Sequence, residues 1–178
     1  TTYTHDAAGN PILSVLEVYS TGHGAITGIY TTTSTYDVDG NQTQSVLEGD
    51  TDGDGVADYI ESISEDYDAN GNLTYHLEKS DTDGDGAWDK IYTQNITYDT
   101  DGNQTQYIAT TDLDGSGTVN TIYTVTSTYN ADGNLTLHLT ERDDNGDGTW
   151  DNTITETSLY DTDGNLTQIV EERDHDAD

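Results

Sequence analysis

The chain has no cysteine, no methionine and no phenylalanine, a single proline, and only four basic residues. Each absence excludes something. Without cysteine there are no disulfides, no thiolate zinc sites and no thiol catalysis. With Lys and Arg totalling 4 against 36 Asp and Glu, the formal charge is −32, a field that repels nucleic acid and anionic membrane surfaces. No apolar run approaches the about 20 residues of a membrane helix. No targeting segment is visible, as expected of a mature or excerpted chain. Hydrophobic residues make up only 30% and the mean hydropathy is −0.78. Low hydrophobicity with high net charge is the composition of a disordered chain, so a folded state needs support beyond an apolar core. Bound cations are the expected support.

What is present is a repeat. Tyr36, Tyr67, Tyr98, Tyr129 and Tyr160 recur every 31 residues, with His5 in the same slot at the start. Each opens a variant of one phrase: YDVDGNQT, YDANGNLT, YDTDGNQT, YNADGNLT and YDTDGNLT. Fourteen residues on comes a second phrase: DTDGDGVAD at 50, DTDGDGAWD at 81, DLDGSGTVN at 112 and DDNGDGTWD at 143. No insertion breaks the period, so residues 1–178 read as one array of nearly six units, 5–35, 36–66, 67–97, 98–128, 129–159 and 160–178.

Between the phrases lie short stretches rich in Thr, Tyr, Val, Ile and Leu, such as 122–130 and 135–142, whose residue types suit a pleated surface. No stretch has helical periodicity. Each unit therefore reads as strand, tight turn, strand, acidic loop. The sequence D-x-D-G-N between two β runs predicts a type I turn followed by a left-handed glycine. Such a hairpin makes its flanking strands antiparallel neighbours. The expected fold is all-β, an elongated antiparallel array of tandem hairpins; a parallel β-solenoid that stacks Tyr on Tyr is the alternative.

The acidic loop has the spacing of a cation cage. Asp50, Asp52 and Asp54 alternate, Gly55 turns the chain, Val56 offers a carbonyl, and Asp58 and Glu61 follow. These are the ligand and turn positions of an EF-hand calcium loop. Calcium takes 6–8 hard oxygens at about 2.3–2.6 Å, and carboxylates so close together repel one another without a cation. The pattern recurs in register as Asp81, Asp83, Asp85, Ala87 and Asp89, and as Asp143, Asn145, Asp147, Thr149 and Asp151. A weaker version has Asp112, Asp114, Ser116 and Asn120, and Asp174, Asp176 and Asp178 begin another. Glu61 stands alone at its position, where Tyr92, Tyr123 and Ile154 occur in the other loops. A neighbouring repeat, a strand Glu such as Glu48 or Glu78, or water must then complete each shell. The hairpin acids, Asp37 and Asp99 among them, are explained by turn chemistry, with a second, weaker cation as the alternative.

The D-x-D-G-D-G-x-x-D run resembles the calcium loops of thrombospondin type 3 repeats and dockerin modules, over about nine residues of each unit. The Y-D-x-x-G-N-L-T phrase separately resembles the YD repeats of bacterial Rhs-type and teneurin proteins, which build strips of β-hairpins. YD repeats are shorter and lack this calcium loop, so that resemblance implies the hairpin alone. Together they imply a bacterial secreted or surface repeat protein.

No nucleophile elbow, zincin, phosphate-loop or dinucleotide motif appears, and acids repeated in every unit imply a repeated structural duty. The chain is therefore expected to be no enzyme. His76 and His138 share one repeat position and read as strand residues. Thr31, Thr33 and Thr35, like Thr124, Thr126 and Thr128, alternate onto one strand face. The expected function is an extracellular or cell-surface calcium-binding rod, stalk or filament of an adhesin or surface assembly. It would continue into further repeats or associate head to tail. The alternative is an ice-binding or glycan-binding protein using the Thr faces.

Overall fold

The computed structural model describes residues 1–19 and 26–175. The chain is all-β, with twelve strands and no helix among the described residues. It divides into two compact units. The first, Thr1–Ile91 with Asp114–Ser116, holds β1 (Thr2–His5), β2 (Pro11–Tyr19), β3 (Ile26–Tyr36), β4 (Gln42–Asp50), β5 (Tyr59–Tyr67) and β6 (Leu73–Asp81). Each of these strands pairs antiparallel with the next. β7 (Lys90–Tyr98) begins in this unit and continues into the second. The second unit, Tyr92–Leu113 with Gly117–Asp178, holds β8 (Gln104–Asp112), β9 (Thr121–Tyr129), β10 (Leu135–Asp143), β11 (Asn152–Tyr160) and β12 (Leu166–His175). These strands too pair antiparallel in chain order.

The antiparallel hairpin array is thus the observed architecture. A parallel solenoid would set each residue beside its counterpart 31 positions on. Instead Thr31 pairs with Glu48 and Thr124 with Glu141 in antiparallel ladders.

The turns follow from their residues. In the turn after β3, Gly40 N–H donates to Asp37 O at 3.3 Å and Gly40 takes a φ of 88°. Asp37 N–H donates to Asn41 O at 2.9 Å, and the ladder slips between Thr35 and Tyr36. This is a β-turn followed by a left-handed residue and a one-residue bulge, a conformation that glycine adopts without strain. The first Asp of the phrase secures it: Asp37 Oδ1 accepts the N–H groups of Asp39 and Asn41, and Oδ2 accepts the Asn41 side-chain amide. Asp68, Asp99 and Asp161 make the same set. Turn chemistry uses both oxygens of these acids.

Three of the recurring tyrosines tie one hairpin to the one before it, while Tyr67 donates to Glu65 Oε2 at 2.8 Å on its own strand. Tyr36 donates its hydroxyl to Pro11 O at 3.2 Å, Tyr129 to Gln104 O at 3.0 Å and Tyr160 to Leu135 O at 2.9 Å. Each acceptor lies 25 residues back, beside the preceding turn. The described ring pairs involve other tyrosines: Tyr30 with Tyr59 at 6.3 Å between centroids, and Tyr107 edge-on to Tyr123 at 6.1 Å.

Burial is sparse. Among the described residues the buried apolar side chains are Ile96, Ala109 and Val125, while Asp143 and Asp81 are the most deeply buried large side chains, at 0% and 2% exposure. Three buried apolar side chains cannot offset the entropy of ordering this chain. Ladder hydrogen bonds, half-buried cross-strand pairs and the acidic loops must carry much of the fold. The aspartates at the strand ends are the residues those loops enclose.

Candidate metal centre

Each acidic loop leaves the last residue of one strand and returns at the start of the next. Four backbone bonds close the loops at the same place: Asp58 N–H to Gly49 O at 2.7 Å, Asp89 to Ser80 at 2.8 Å, Asn120 to Thr111 at 2.7 Å and Asp151 to Arg142 at 2.8 Å. Inside the first loop, Asp50 Oδ1 accepts Gly53 N–H at 2.6 Å and Oδ2 accepts Gly55 N–H at 2.9 Å. Asp81 repeats both bonds with Gly84 and Gly86, Asp143 with Gly146 and Gly148, and Asp112 accepts Gly117 N–H at 2.7 Å. The first aspartate is therefore the hub around which the loop winds. Its burial is compensated by backbone N–H groups.

The following residues chain together. Asp52 accepts the Asp54 N–H, and Asp54 accepts the Val56 N–H at 2.8 Å. Asp83 likewise accepts Asp85, Asp85 accepts Ala87, Asp114 accepts Ser116, Asn145 accepts Asp147, and Asp147 accepts Thr149. This fixes the backbone at Val56, Ala87 and Thr149, whose carbonyls the sequence nominates as ligands.

The last acid of the phrase has a second duty. Asp58 Oδ2 accepts both the N–H and the hydroxyl of Thr51, and Asp89 Oδ2 does the same with Thr82. Asn120 Oδ1 accepts Leu113 N–H and Asp151 Oδ2 accepts Asp144 N–H, each at 2.6 Å. These residues clamp the loop shut. The threonine hydroxyl, then its N–H, holds the Asp58 and Asp89 carboxyls below the usual carboxylate range. Asp147 is lowered first by the Thr149 hydroxyl. For Asp143, burial pushes upward, yet the N–H groups of Gly148, Gly146 and Asn145 outweigh it and the carboxyl is lowered.

Two loops gather three carboxylates with oxygens within 4.8 Å of one another: Asp50, Asp52 and Asp54 in the first, and Asp81, Asp83 and Asp89 in the second. Asp58 and Asp85 fall outside these trios. No other such group occurs among the described residues, because Asn145, Ser116 and Asn120 replace acids in the later loops. Among the described residues no metal-sized group includes a histidine; His76 faces Glu65 at 3.0 Å and His138 meets Ser127 at 3.3 Å.

Glu61 does not stand where an EF-hand template would need it. Glu61 lies in β5 opposite Leu47 and Ser80, one residue out of phase with the face that carries Asp50. The structure does not bring it to the cluster. Glu48, two residues before Asp50, shares that face and lines a cavity of about 190 Å³ with Asp50, Ile29, Thr31, Gly55 and Ala57. Asp174 pairs with Thr153 in the last hairpin and lines a second cavity with Thr155, Glu172 and Arg173. Asp176 and Asp178 lie outside the described residues, as do residues 20–25.

No protein-family profile matches the chain, and no curated protein is detectably similar in sequence. Among solved structures, a TcdB2-TccC3-Cdc42 complex is similar over 96% of this chain and 11% of its own, at 17% identity and a TM-score of 0.29. A porin-like protein from Bacteroides uniformis is similar over 96% of this chain and 86% of its own, at 13% identity and a TM-score of 0.27. A Photorhabdus luminescens Tc holotoxin pore is similar over 98% of this chain and 13% of its own, at 12% identity and a TM-score of 0.20. The chain therefore spans about a tenth of the toxin chains it matches. At these TM-scores the likeness carries no argument about function.

Proposed function

We propose that this chain is a calcium-loaded structural repeat, a non-catalytic rod or stalk segment of an extracellular or cell-surface assembly. The observation that carries the reading is the pair of aspartate trios, Asp50 with Asp52 and Asp54, and Asp81 with Asp83 and Asp89. They lie in loops of one repeated architecture on a chain of charge −32. Hard carboxylate oxygens select calcium over softer metals. Loops of this type in extracellular modules bind at about 10⁻⁴–10⁻³ M, which suits the calcium level outside cells. Acids repeated loop after loop serve one structural duty many times, as expected of a scaffold and not of a single reaction centre.

The Thr faces favour the ice-binding or glycan-binding reading less. Thr31 pairs across with Glu48, Thr124 with Glu141 and Thr155 with Glu172, so carboxylates interrupt each threonine rank.

Terbium luminescence tests the cage. Trp88 sits inside the second loop, its ring 5.6 Å from Lys79 Nζ, and would sensitise an ion held there. Excitation of tryptophan should give terbium emission that calcium displaces and that Asp81→Asn with Asp83→Asn abolishes. Emission no stronger than that of free terbium would overturn the proposal.

A further inference from the structure

Every complete acidic loop carries two glycines at fixed positions, the fourth residue (Gly53, Gly84, Gly115, Gly146) and the sixth (Gly55, Gly86, Gly117, Gly148). All eight have positive φ, between 63° and 91°, so the backbone demands glycine at both positions. Their surroundings differ. At Gly55, Gly86, Gly117 and Gly148 an added Cβ would meet nothing within 4 Å. At Gly84 it would lie 2.5 Å from Ala57 O and 3.0 Å from Asp58 O, both in the preceding loop. Gly115 leaves no room against Trp88 O, nor Gly146 against Val119 O. The fourth residue of each loop thus seats the eighth-residue carbonyl of the loop before it.

That seat connects the working parts of two loops. On one side, Gly84 N–H is held by the hub carboxylate Asp81 at 2.7 Å. On the other, Ala57 lies between Val56, whose carbonyl the sequence nominates as a ligand, and Asp58, which clamps Thr51. An ordered second loop presents a fixed floor to the closing half of the first.

We propose that adjacent acidic loops are coupled through this glycine seat, so that ordering one loop orders its neighbour and cation binding is cooperative along the row. The cation part rests on the calcium reading above; the coupling does not. A second binding event to an already ordered neighbour loses less conformational entropy, and coupling of this kind typically changes affinity by about 5- to 150-fold.

Two substitutions in one loop separate the seat from ordinary glycine strain. Gly84→Ala and Gly86→Ala force the same left-handed backbone on alanine, but only the first intrudes on the preceding loop. The full chain, with glycine nitrogens labelled, is examined by amide hydrogen exchange in ~5 mM calcium, above the affinity range of extracellular modules. Exchange at Gly53 and Gly55 should quicken at least about fivefold in Gly84→Ala and stay near wild type in Gly86→Ala, with the turn amide of Gly71 as the monitor of global stability. Equal effects of the two variants on Gly55, or none, would overturn the coupling whether or not ions bind. Calcium titrations followed at Gly55 supply the other arm: Gly84→Ala should raise the half-saturation point of the first loop at least about fivefold, and Gly86→Ala should not. A chain that shows the exchange pattern but no calcium response keeps the coupling and refutes the calcium reading. Should Gly84→Ala fail to fold, Asp58→Ala reads the path in reverse. Opening the first clamp should quicken exchange at Gly84 and Gly86, and unchanged exchange there would overturn the proposal.

Discussion

At the scale of single residues, the aspartates have two occupations that their spacing alone does not separate. Asp99 is a turn acid. Its carboxyl is held below the usual range, first by the Asn103 side-chain amide and then by backbone N–H groups. A depressed carboxyl contributes stability above its unfolded pKa, about 3.9, and that contribution is lost as pH falls through the lower folded value. Asn130 occupies the same slot one repeat later and still accepts the N–H groups of Asp132 and Asn134. Asp99→Asn should therefore nearly keep the melting temperature at pH 7 and flatten its decline below pH 4, whereas Asp99→Ala should lower it at pH 7. Melting curves across that range check the order. Tyr129 gives a second test. Removing its hydroxyl bond to Gln104 O with Tyr129→Phe should cost about 0.5–1.5 kcal/mol, read as a lower denaturant midpoint; an unchanged midpoint would exclude the inter-hairpin tie.

At the scale of elements, the hairpin was legible because D-x-D-G-N encodes its own geometry. The side-chain hydrogen bonds, the left-handed glycine and the bulge are all local, and the observed turn at Asp37–Asn41 is the one the phrase implies. The loop was legible for the same reason up to Asp58. Glu61 marks where that reading stops. The EF-hand spacing presumes that a helix follows the loop, but here β5 begins at Tyr59, and strand alternation sends Glu61 to the far face. Glu48, which the sequence also offers as a strand carboxylate, stands two residues before Asp50 and lines a cavity with it. Likewise, the sequence could not show that the hydroxyls of Tyr36, Tyr129 and Tyr160 reach carbonyls 25 residues back, since that depends on inter-strand register. Glu48→Gln should weaken calcium binding in the first loop several-fold while Glu61→Gln leaves it unchanged, because only Glu48 shares the cavity with Asp50. A calorimetric titration should also rank the loops, with 50–58 and 81–89 filling first and 112–120, the poorest in acids, filling last. Four equal sites would contradict this order.

At the scale of the whole molecule, the composition belongs to a disordered chain and yet the strands form. A few buried apolar side chains hold little, and among the described residues the most deeply buried large side chains are two aspartates at the bases of loops. Four divalent ions would add about eight positive charges where repulsion is densest, taking −32 to roughly −24. In a repeat array stability is the sum of units and the interfaces between neighbours, so relief at each loop accumulates along the chain. Binding energy is then folding energy. Far-ultraviolet circular dichroism in excess chelator, followed by restoration of millimolar calcium, tests this most directly. The account predicts that the β signal collapses on chelation and returns with calcium; a spectrum and melting curve unchanged by excess chelator would contradict it.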